Sequence, residues 1–423
     1  MALFLFLATG EIALRIVYHD AGLRTLGGPG PYKFEHLMTP DDLRGRMDVG
    51  PKTPGVPRLM MLGDSITWGA GVYDWRNTWP ELLLRDLEHG ESHYEAAVFA
   101  DSGRDIQAHV NEVDRWLETV NPDVFIYQWY VNDIEVSSHR PREKRSWQEW
   151  SAHRWLRARS YLYFLLDKRL ATYLPPLERS YVDYLVQDYA PGTAGWAEFE
   201  RYFNTLAMRV KERAKTRILI LYPQVPFRGR SPLQPIYDGI LAFGRPHLLV
   251  IPPADLVHYA GEYATVAQQP ALRFAPAPMG PVIDTREYYF APGDHEIDLT
   301  VSIDANVATF GTLDVVDAQT NEVLGTAPLH TTPGGWHDVA VHVTTPERAH
   351  FVRLRVTGNG QAPFSLARVA FPVDYGFEVV DLTGPLNTFN THASIFDAHP
   401  NERAHRVMAE KVARALRKSG TYH

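Results

Sequence analysis

The stretch Leu59-Met60-Met61-Leu62-Gly63-Asp64-Ser65 joins a short apolar run to a turn that carries a serine. Four large apolar residues followed by a glycine predict a short buried strand. In open parallel sheets, ligands bind just beyond the carboxyl ends of the strands. The hydroxyl of Ser65 therefore stands where a nucleophile is expected, if this strand belongs to such a sheet.

Strand and helix patterns alternate further along the chain. Apolar runs predict strands, and apolar residues at helical spacing predict amphipathic helices between them. The strands are expected at 94–100, 124–130, 218–222 and 377–382, and the helices at 79–87, 105–118, 199–210 and 407–418. This alternation predicts a parallel sheet covered by helices.

The pattern changes between Ala271 and Phe371, where short segments alternate apolar and polar residues. Segments such as Glu296–Ser302 and Phe351–Val356 are separated by turn signals that include Gly358-Asn-Gly360. Short, regularly spaced strands without a helical stretch predict an antiparallel sandwich. Because a buried strand and an amphipathic helix follow it, the sandwich is expected as an insertion in the α/β domain.

The composition excludes several classes of protein. The chain has 423 residues, of which 45% are hydrophobic and 22% are charged, as in an ordinary globular protein. A net charge of −8 gives the whole chain no overall attraction to nucleic acid or to anionic lipid. The absence of cysteine excludes disulfides and a thiolate nucleophile. His392, His399 and His405 lack the spacing of a metal site, and no glycine-rich phosphate loop occurs, so we expect neither metal nor cofactor.

The N-terminal residues have two interpretations. Ala2 to Ala8 is apolar, but Glu11 and Arg15 interrupt the run before it reaches the roughly 20 residues that a spanning helix needs. The segment is therefore either the end of an N-terminal membrane anchor or an amphipathic first helix packed on the body. The first interpretation predicts association with a membrane or entry into an export route.

Three further short blocks place polar residues at the predicted ends of strands or before helices. Gly103 follows the second strand, Asn132 and Asp133 follow the third, and Asp397-Ala-His399 precedes the last helix. Each has a simpler interpretation when it is taken alone. Gly103 and Asn132 would then be turn residues, and Asp397 would cap the last helix.

Together with Gly63-Asp-Ser65, these blocks resemble the SGNH, or GDSL, hydrolase family over about 58–250 and 375–418. The resemblance implies that Ser65 is the nucleophile, that His399 is the general base and that Asp397 orients it. It also implies an oxyanion hole formed by the N–H groups of Ser65 and Gly103 and the side-chain amide of Asn132. Since members of this family often work outside the cytoplasm, the resemblance implies an extracytoplasmic location as well.

The chain departs from the family pattern at two places. Tyr130 stands where the family often has glycine, which changes the predicted wall of the pocket. Asp397 precedes His399 by two residues, whereas the family pattern is Asp-x-x-His. Asp64 and Asp133 are interpreted as structural residues that stabilise their loops through backbone hydrogen bonds.

The resemblance and the strand pattern together predict an α/β protein, with a three-layer, parallel-sheet SGNH hydrolase domain and an inserted all-β, jelly-roll-like domain. The closing strands of the insertion look like those of carbohydrate-binding jelly rolls. Tyr288, Tyr289 and Trp336 would either form a sugar platform or fill the sandwich core or its interface with the catalytic domain. The expected boundaries are 1–57 for an N-terminal anchor or lead-in, 58–262 and 373–423 for the hydrolase domain, and 263–372 for the inserted sandwich.

The leading functional hypothesis is a serine esterase that hydrolyses an O-acyl ester, with an acetyl ester on a carbohydrate as the expected substrate. The partner is thus a small-molecule or polysaccharide ester. One alternative is a polysaccharide O-acyltransferase that uses the same Ser65 and His399, because a sugar hydroxyl can replace water as the acceptor. The other is a non-catalytic carbohydrate-binding protein that retains the motifs by descent.

Overall fold

The structure is a computed structural model that describes residues 2–17, 50–72, 74–88, 94–101, 103–135, 150–173, 180–224, 231–303, 305–330, 334–346, 351–386, 391–394 and 397–419. The chain forms two compact units. The parallel-sheet unit contains Met1–Leu185, Arg213–Gln234 and Phe377–His423, and the sandwich unit contains Val186–Glu212 and Pro235–Gly376. The residues at 186–212, 235–262 and 373–376, which the sequence analysis placed in the hydrolase domain, thus group with the sandwich. Most of the lead-in predicted over 1–57 lies outside the described residues.

Each predicted amphipathic segment overlaps a helix of the structure, and the structure adds helices that the sequence did not predict, among them α2 and α9. In chain order they are α1 (Ala2–Val17), α2 (Ser65–Trp68), α3 (Trp79–Leu87), α4 (Ile106–Val120), α5 (Ser151–Arg159), α6 (Tyr161–Tyr173), α7 (Tyr181–Tyr189), α8 (Ala194–Arg213), α9 (Gln234–Ala242) and α10 (Glu402–Lys418).

The strands include every segment that the sequence predicted. In chain order they are β1 (Arg58–Gly63), β2 (Glu95–Ala100), β3 (Val124–Trp129), β4 (Thr216–Leu221), β5 (His247–Ile251), β6 (Val257–His258), β7 (Glu262–Val266), β8 (Gln269–Phe274), β9 (Met279–Asp284), β10 (Tyr288–Tyr289), β11 (Gly293–Ile303), β12 (Thr309–Asp317), β13 (Val323–His330), β14 (Trp336–Thr345), β15 (Phe351–Asn359), β16 (Phe364–Val373), β17 (Glu378–Asp381), β18 (His392–Ser394) and β19 (Asp397–Pro400).

The parallel-sheet unit contains a sheet in the order β2-β1-β3-β4-β17, and all of its pairs are parallel. β1 is buried along its whole length and lies between the edge strand β2 and the central strand β3. This arrangement confirms the predicted parallel sheet covered by helices. It also brings the carboxyl ends of β1, β2 and β3 to one edge, where Ser65, Gly103 and Asn132 follow them.

Helices cover both faces of this sheet because its strands are apolar on both sides. On one face, Leu59 and Met61 belong to a buried cluster with α3 and α10, to which α10 contributes Met408 and Val412. On the other face, α4 packs through the ring of Trp116, which stacks on Phe99 of β2 at a centroid distance of 4.6 Å. The sheet is therefore the middle of three layers.

The sandwich unit consists of two antiparallel sheets, as predicted. One sheet has the order β13-β12-β15-β9-β6, with β10 paired to β15, and the other has the order β14-β11-β16-β8-β7, with β5 paired to β16. Aromatic side chains from outside the sheets belong to the same unit. Phe203 of α8 lies 4.3 Å from Phe243 and 5.2 Å from Tyr375, measured between ring centroids.

The first helix, α1, packs on α6 in the parallel-sheet unit. The carboxylate of Glu11 accepts hydrogen bonds from the Ser160 hydroxyl at 2.8 Å and from the backbone N–H of Leu162 at 2.9 Å. These contacts agree with the second interpretation of the N-terminal residues, in which they form a helix packed on the body. Among the helices described, none has the length and apolar character needed to cross a membrane.

Candidate active site

Ser65 is positioned by the turn between β1 and α2. The Asp64 side chain accepts a hydrogen bond from the backbone N–H of Ile66 at 2.9 Å and so caps α2, which starts at Ser65. Gly63 must lack a side chain here, because a Cβ at this position would collide with Thr67 and lie 2.8 Å from Gln128 Oε1. Ser65 itself is 7% exposed and lies two positions after the end of β1.

A buried glutamine fastens this turn to the neighbouring strand. Gln128 Oε1 on β3 accepts hydrogen bonds from the Thr67 hydroxyl at 2.8 Å and from the Thr67 backbone N–H at 3.2 Å. Both side chains are fully buried. Since a buried hydrogen bond to a side-chain carbonyl is costly to lose, this contact fixes α2, and with it the serine, relative to β3.

The central contact of the site joins Ser65 to His399. His399 Nε2 lies 3.1 Å from Ser65 Oγ, although the two residues are 334 positions apart in the chain. This distance is within the range for proton transfer between a nucleophile and its base. The structure thus brings together the two residues that the sequence proposed as nucleophile and base.

His399 lies on a small hairpin that precedes α10. Strands β18 and β19 pair in antiparallel fashion, with His392 opposite Pro400. Asn401 secures both the hairpin and the helix. Its side-chain oxygen accepts from the backbone N–H of Ala404 at 3.1 Å, and its Nδ2 donates to the carbonyl of His392 at 3.0 Å. The imidazole therefore stands on backbone that is fixed at both ends.

Asp397, the proposed orienting residue, begins β19, and its backbone pairs with Ser394. Its side chain lies outside the described residues, as does Phe396. The contact between Asp397 and the imidazole of His399 therefore stays a prediction.

The two other proposed oxyanion donors follow the strands that flank β1. Gly103 comes three residues after Ala100, which pairs with Gly63, and its φ of +74° is one that glycine adopts readily. Asn132 lies in a short 3₁₀ helix after β3, and its side chain lies beside the Asp64 carboxyl. Both residues stand at the same edge of the sheet as Ser65, and their role as donors stays a prediction.

Tyr130, the residue that departs from the family pattern, is partly buried. Its ring lies edge-on to that of Tyr222, with a centroid distance of 6.0 Å. Its backbone N–H donates to Asp133 Oδ2 at 2.7 Å. A bulky aromatic side chain therefore stands next to Asn132, where the family pattern has room.

Two buried acids lie beneath the serine. Burial raises the pKa of Asp64 to about 6, because a carboxylate loses its hydration there, although the Ile66 N–H and the nearby His399 charge and Asn132 amide oppose this effect. Burial and the nearby Asp64 raise the pKa of Asp133 well above its ordinary value. Since two adjacent buried carboxyls do not both ionise readily, we assign the negative charge at neutral pH to Asp64 and the proton to Asp133.

The aromatic residues considered for a sugar platform differ in their burial within the sandwich unit. Tyr288 is fully buried, and Tyr289 is 4% exposed. Trp336 is partly buried, and its Nε1 donates to the carbonyl of Val266 at 3.0 Å. Burial of Tyr288 and Tyr289 favours the alternative in which they fill the core. Within the described part of the chain, no group of three or more potential metal ligands is assembled.

The sequence interpretation missed two residues that position the site. Gln128 appeared as one residue of an apolar strand, and its only signal was a polar side chain inside that run. Asn401 directly follows the Asp397-Ala-His399-Pro400 block, and an asparagine just before an amphipathic helix is a typical N-cap signal. The role of Gln128 could be recognised only from the tertiary structure, whereas the role of Asn401 could be predicted from the sequence.

No protein-family model matches the chain, and no curated protein matches it. Parts of the chain are similar to solved structures. The module CsCBM6-3 from Clostridium stercorarium, solved with cellobiose, is 15% identical and covers 29% of this chain and 91% of its own, with a TM-score of 0.22. A family 35 carbohydrate-binding module from Clostridium thermocellum is 9% identical and covers 30% and 97%, with a TM-score of 0.24. TesA is 15% identical and covers 44% and 72%, with a TM-score of 0.27. At these scores, the similarities carry no argument about activity.

Proposed function

We propose that the protein is a serine esterase of the SGNH type that hydrolyses an O-acyl ester, with an acetylated carbohydrate as its substrate. The observation that carries the proposal is the 3.1 Å contact between Ser65 Oγ and His399 Nε2. A serine hydroxyl is a weak nucleophile until a neighbouring base takes its proton, and this contact supplies that base.

The reaction follows from this pair. Ser65 Oγ attacks the ester carbonyl while its proton passes to His399 Nε2. The protonated imidazole then donates the proton to the departing alcohol, which leaves an acyl group on Ser65. Water, deprotonated by His399, attacks the acyl group, and the proton returns to Ser65 as the acid departs.

The negative charge that develops on the carbonyl oxygen needs donors that are fixed before the reaction. We assign this role to the N–H groups of Ser65 and Gly103 and to the amide of Asn132. Asn132 has two N–H donors, and the Asp64 carboxylate beside it can accept one of them while the other faces the oxyanion. The buried charge of Asp64 also favours the imidazolium form of His399 during the reaction.

The choice of a carbohydrate ester rests on the strand pattern of the sandwich unit, which resembles carbohydrate-binding jelly rolls. Its two antiparallel sheets are the architecture that such a resemblance implies. An acetylated polysaccharide is therefore the natural polymeric substrate to test beside a small ester.

The test compares Ser65→Ala with Ser419→Ala, an exposed serine at the end of α10, on p-nitrophenyl acetate and on an O-acetylated polysaccharide. We expect the first variant to lose ester turnover and the second to retain it, with unchanged circular dichroism in both. Full turnover by a folded Ser65→Ala protein contradicts the proposal. If acetate appears only as a sugar ester when an acceptor sugar is added, the transferase alternative replaces the esterase.

A further inference from the structure

The exposed large apolar side chains described in the parallel-sheet unit all lie on one set of helices. We call these side chains the apolar platform. They are carried by α1, α5 and α6 and by the residue that precedes α5. Its members are Leu5, Phe6, Leu7, Ile12, Ile16, Trp150, Trp155, Leu156 and Leu166. A soluble surface rarely gathers so many large apolar groups, and such patches mark contacts with a protein or a membrane.

The orientation of α1 is the reverse of that of an ordinary surface helix, which turns its apolar side inward. Its acidic residue, Glu11, faces α6 and accepts hydrogen bonds from the Ser160 hydroxyl and from the N–H groups of Tyr161 and Leu162. Burial alone would raise the pKa of Glu11, but these bonds outweigh it and hold the pKa below its usual range. Ile12 and Ile16 are 58% and 70% exposed.

α5 is held against α6 in the same way, so that its tryptophan points outward. The buried His153 ring bonds through Nδ1 to the Tyr163 hydroxyl at 2.9 Å. Phe164 is fully buried on α6, whereas Trp155 on α5 and Leu166 on α6 are more than half exposed. The platform is therefore built on packed helices and is not a frayed end.

The charge of this region differs from that of the whole chain. Residues 151–173 contain five arginines and lysines and one aspartate, in a protein whose net charge is −8. The Arg159 guanidinium lies 5.1 Å from the ring centroid of Trp155, and that of Arg15 lies 5.3 Å from the centroid of Tyr161. Basic groups beside tryptophan and aliphatic side chains are the composition of segments that lie in a membrane interface.

We infer that the apolar platform binds the surface of an anionic lipid bilayer, with α1 and α5 lying in the interface. The apolar side chains enter the boundary between headgroups and acyl chains, and the neighbouring arginines contact the lipid phosphates. An uncharged apolar surface, whether of a protein or of a neutral bilayer, would satisfy the apolar groups alone. The local excess of positive charge in an acidic protein favours the anionic lipid.

The test is flotation of the full chain with phosphatidylcholine vesicles that contain about 30% phosphatidylglycerol. We expect the wild type to float with the vesicles, and Phe6→Asp/Trp155→Glu to bind at least about tenfold less. Arg154→Glu, an exposed change on α5, should weaken binding several-fold to the anionic vesicles and not to pure phosphatidylcholine. The matched control is Met279→Asp, since Met279 is 84% exposed in the sandwich unit and should be neutral.

Three results overturn the inference. The first is equal flotation of the wild type and Phe6→Asp/Trp155→Glu, or none by the wild type. The second is a dimer in light scattering that the double variant abolishes, which makes a second copy the occupant. The third is a combination of two results: the wild type does not bind vesicles, and the double variant melts at a lower temperature. The apolar platform would then contribute to the stability of the protein's own fold. Ester turnover is measured separately, so the outcome of the esterase test does not decide whether the apolar platform binds lipid.

Discussion

The buried acid beneath the serine gives a prediction whose size follows from the structure. Asp64 is fully buried, and its pKa in the folded protein is about 6, against an ordinary value of 3.8. Between these two pH values the folded state binds more protons than the unfolded state. Stability from this group is therefore complete below the unfolded pKa and is lost as pH rises through the folded pKa.

The magnitude follows from the shift of roughly two pKa units, which corresponds to about 3 kcal/mol over the full titration. Between pH 4.5 and 7.5, the wild type should lose about 2 kcal/mol of unfolding free energy through Asp64. Asp64→Asn cannot ionise, so it should lack this loss. Groups that lie away from Asp64 titrate alike in both proteins and cancel when the two are compared.

The assay is urea unfolding followed by tryptophan fluorescence at the two pH values, with kcat measured in parallel. We expect Asp64→Asn to gain stability relative to wild type as pH rises and to lose roughly tenfold to a hundredfold in kcat, because the imidazolium of His399 loses a nearby negative charge. Asp133→Asn is the matched control, since Asp133 is already protonated in our assignment. Asp133→Asn should change neither the pH dependence of the unfolding free energy nor kcat greatly.

The reasoning is refuted if the difference in unfolding free energy between Asp64→Asn and wild type is the same at both pH values. It is also refuted if Asp133→Asn, and not Asp64→Asn, shows the pH-dependent gain. In that case the charge at neutral pH resides on Asp133.

Further predictions concern the residues around the serine. Asn132→Ala should lower kcat by about 10²–10³ if its amide serves the oxyanion, and an unchanged kcat would leave Asn132 a turn residue. Asp397→Asn should lose much less activity than His399→Ala, and equal losses in steady-state assays would show that the two residues act as a tight unit. Gly63→Ala should lower the melting temperature, because its Cβ collides with Thr67, and a normal melting temperature would show that the turn adapts.

The parallel sheet could be predicted because its signals are local. β1, β2, β3 and β4 are apolar runs bounded by turn residues, and period-two segments showed the sandwich strands in the same way. β5 could not be assigned, since His247–Ile251 is an apolar run like that of β4. Only its antiparallel pairing with β16, far along the chain, places it in the sandwich.

The core of the candidate site could also be proposed from sequence, because Ser65 and His399 each lie in a short motif beside a strand or helix end. The parts that hold them could not. The bond between Gln128 and Thr67 joins β3 to α2 across 61 positions of the chain, and the pKa of Asp64 depends on burial that no local pattern reveals. Glu11 was interpreted as a break in an apolar run, whereas its function is to bond α6.

The central claim is that Ser65 is a nucleophile activated by His399. The most direct measurement is reaction with a fluorophosphonate, followed by mass spectrometry of the digested protein. We predict one modification, on the peptide that contains Ser65, with labelling at least about tenfold slower in His399→Ala. Labelling of another residue, no labelling of the folded wild type, or an equal rate in His399→Ala would contradict the account.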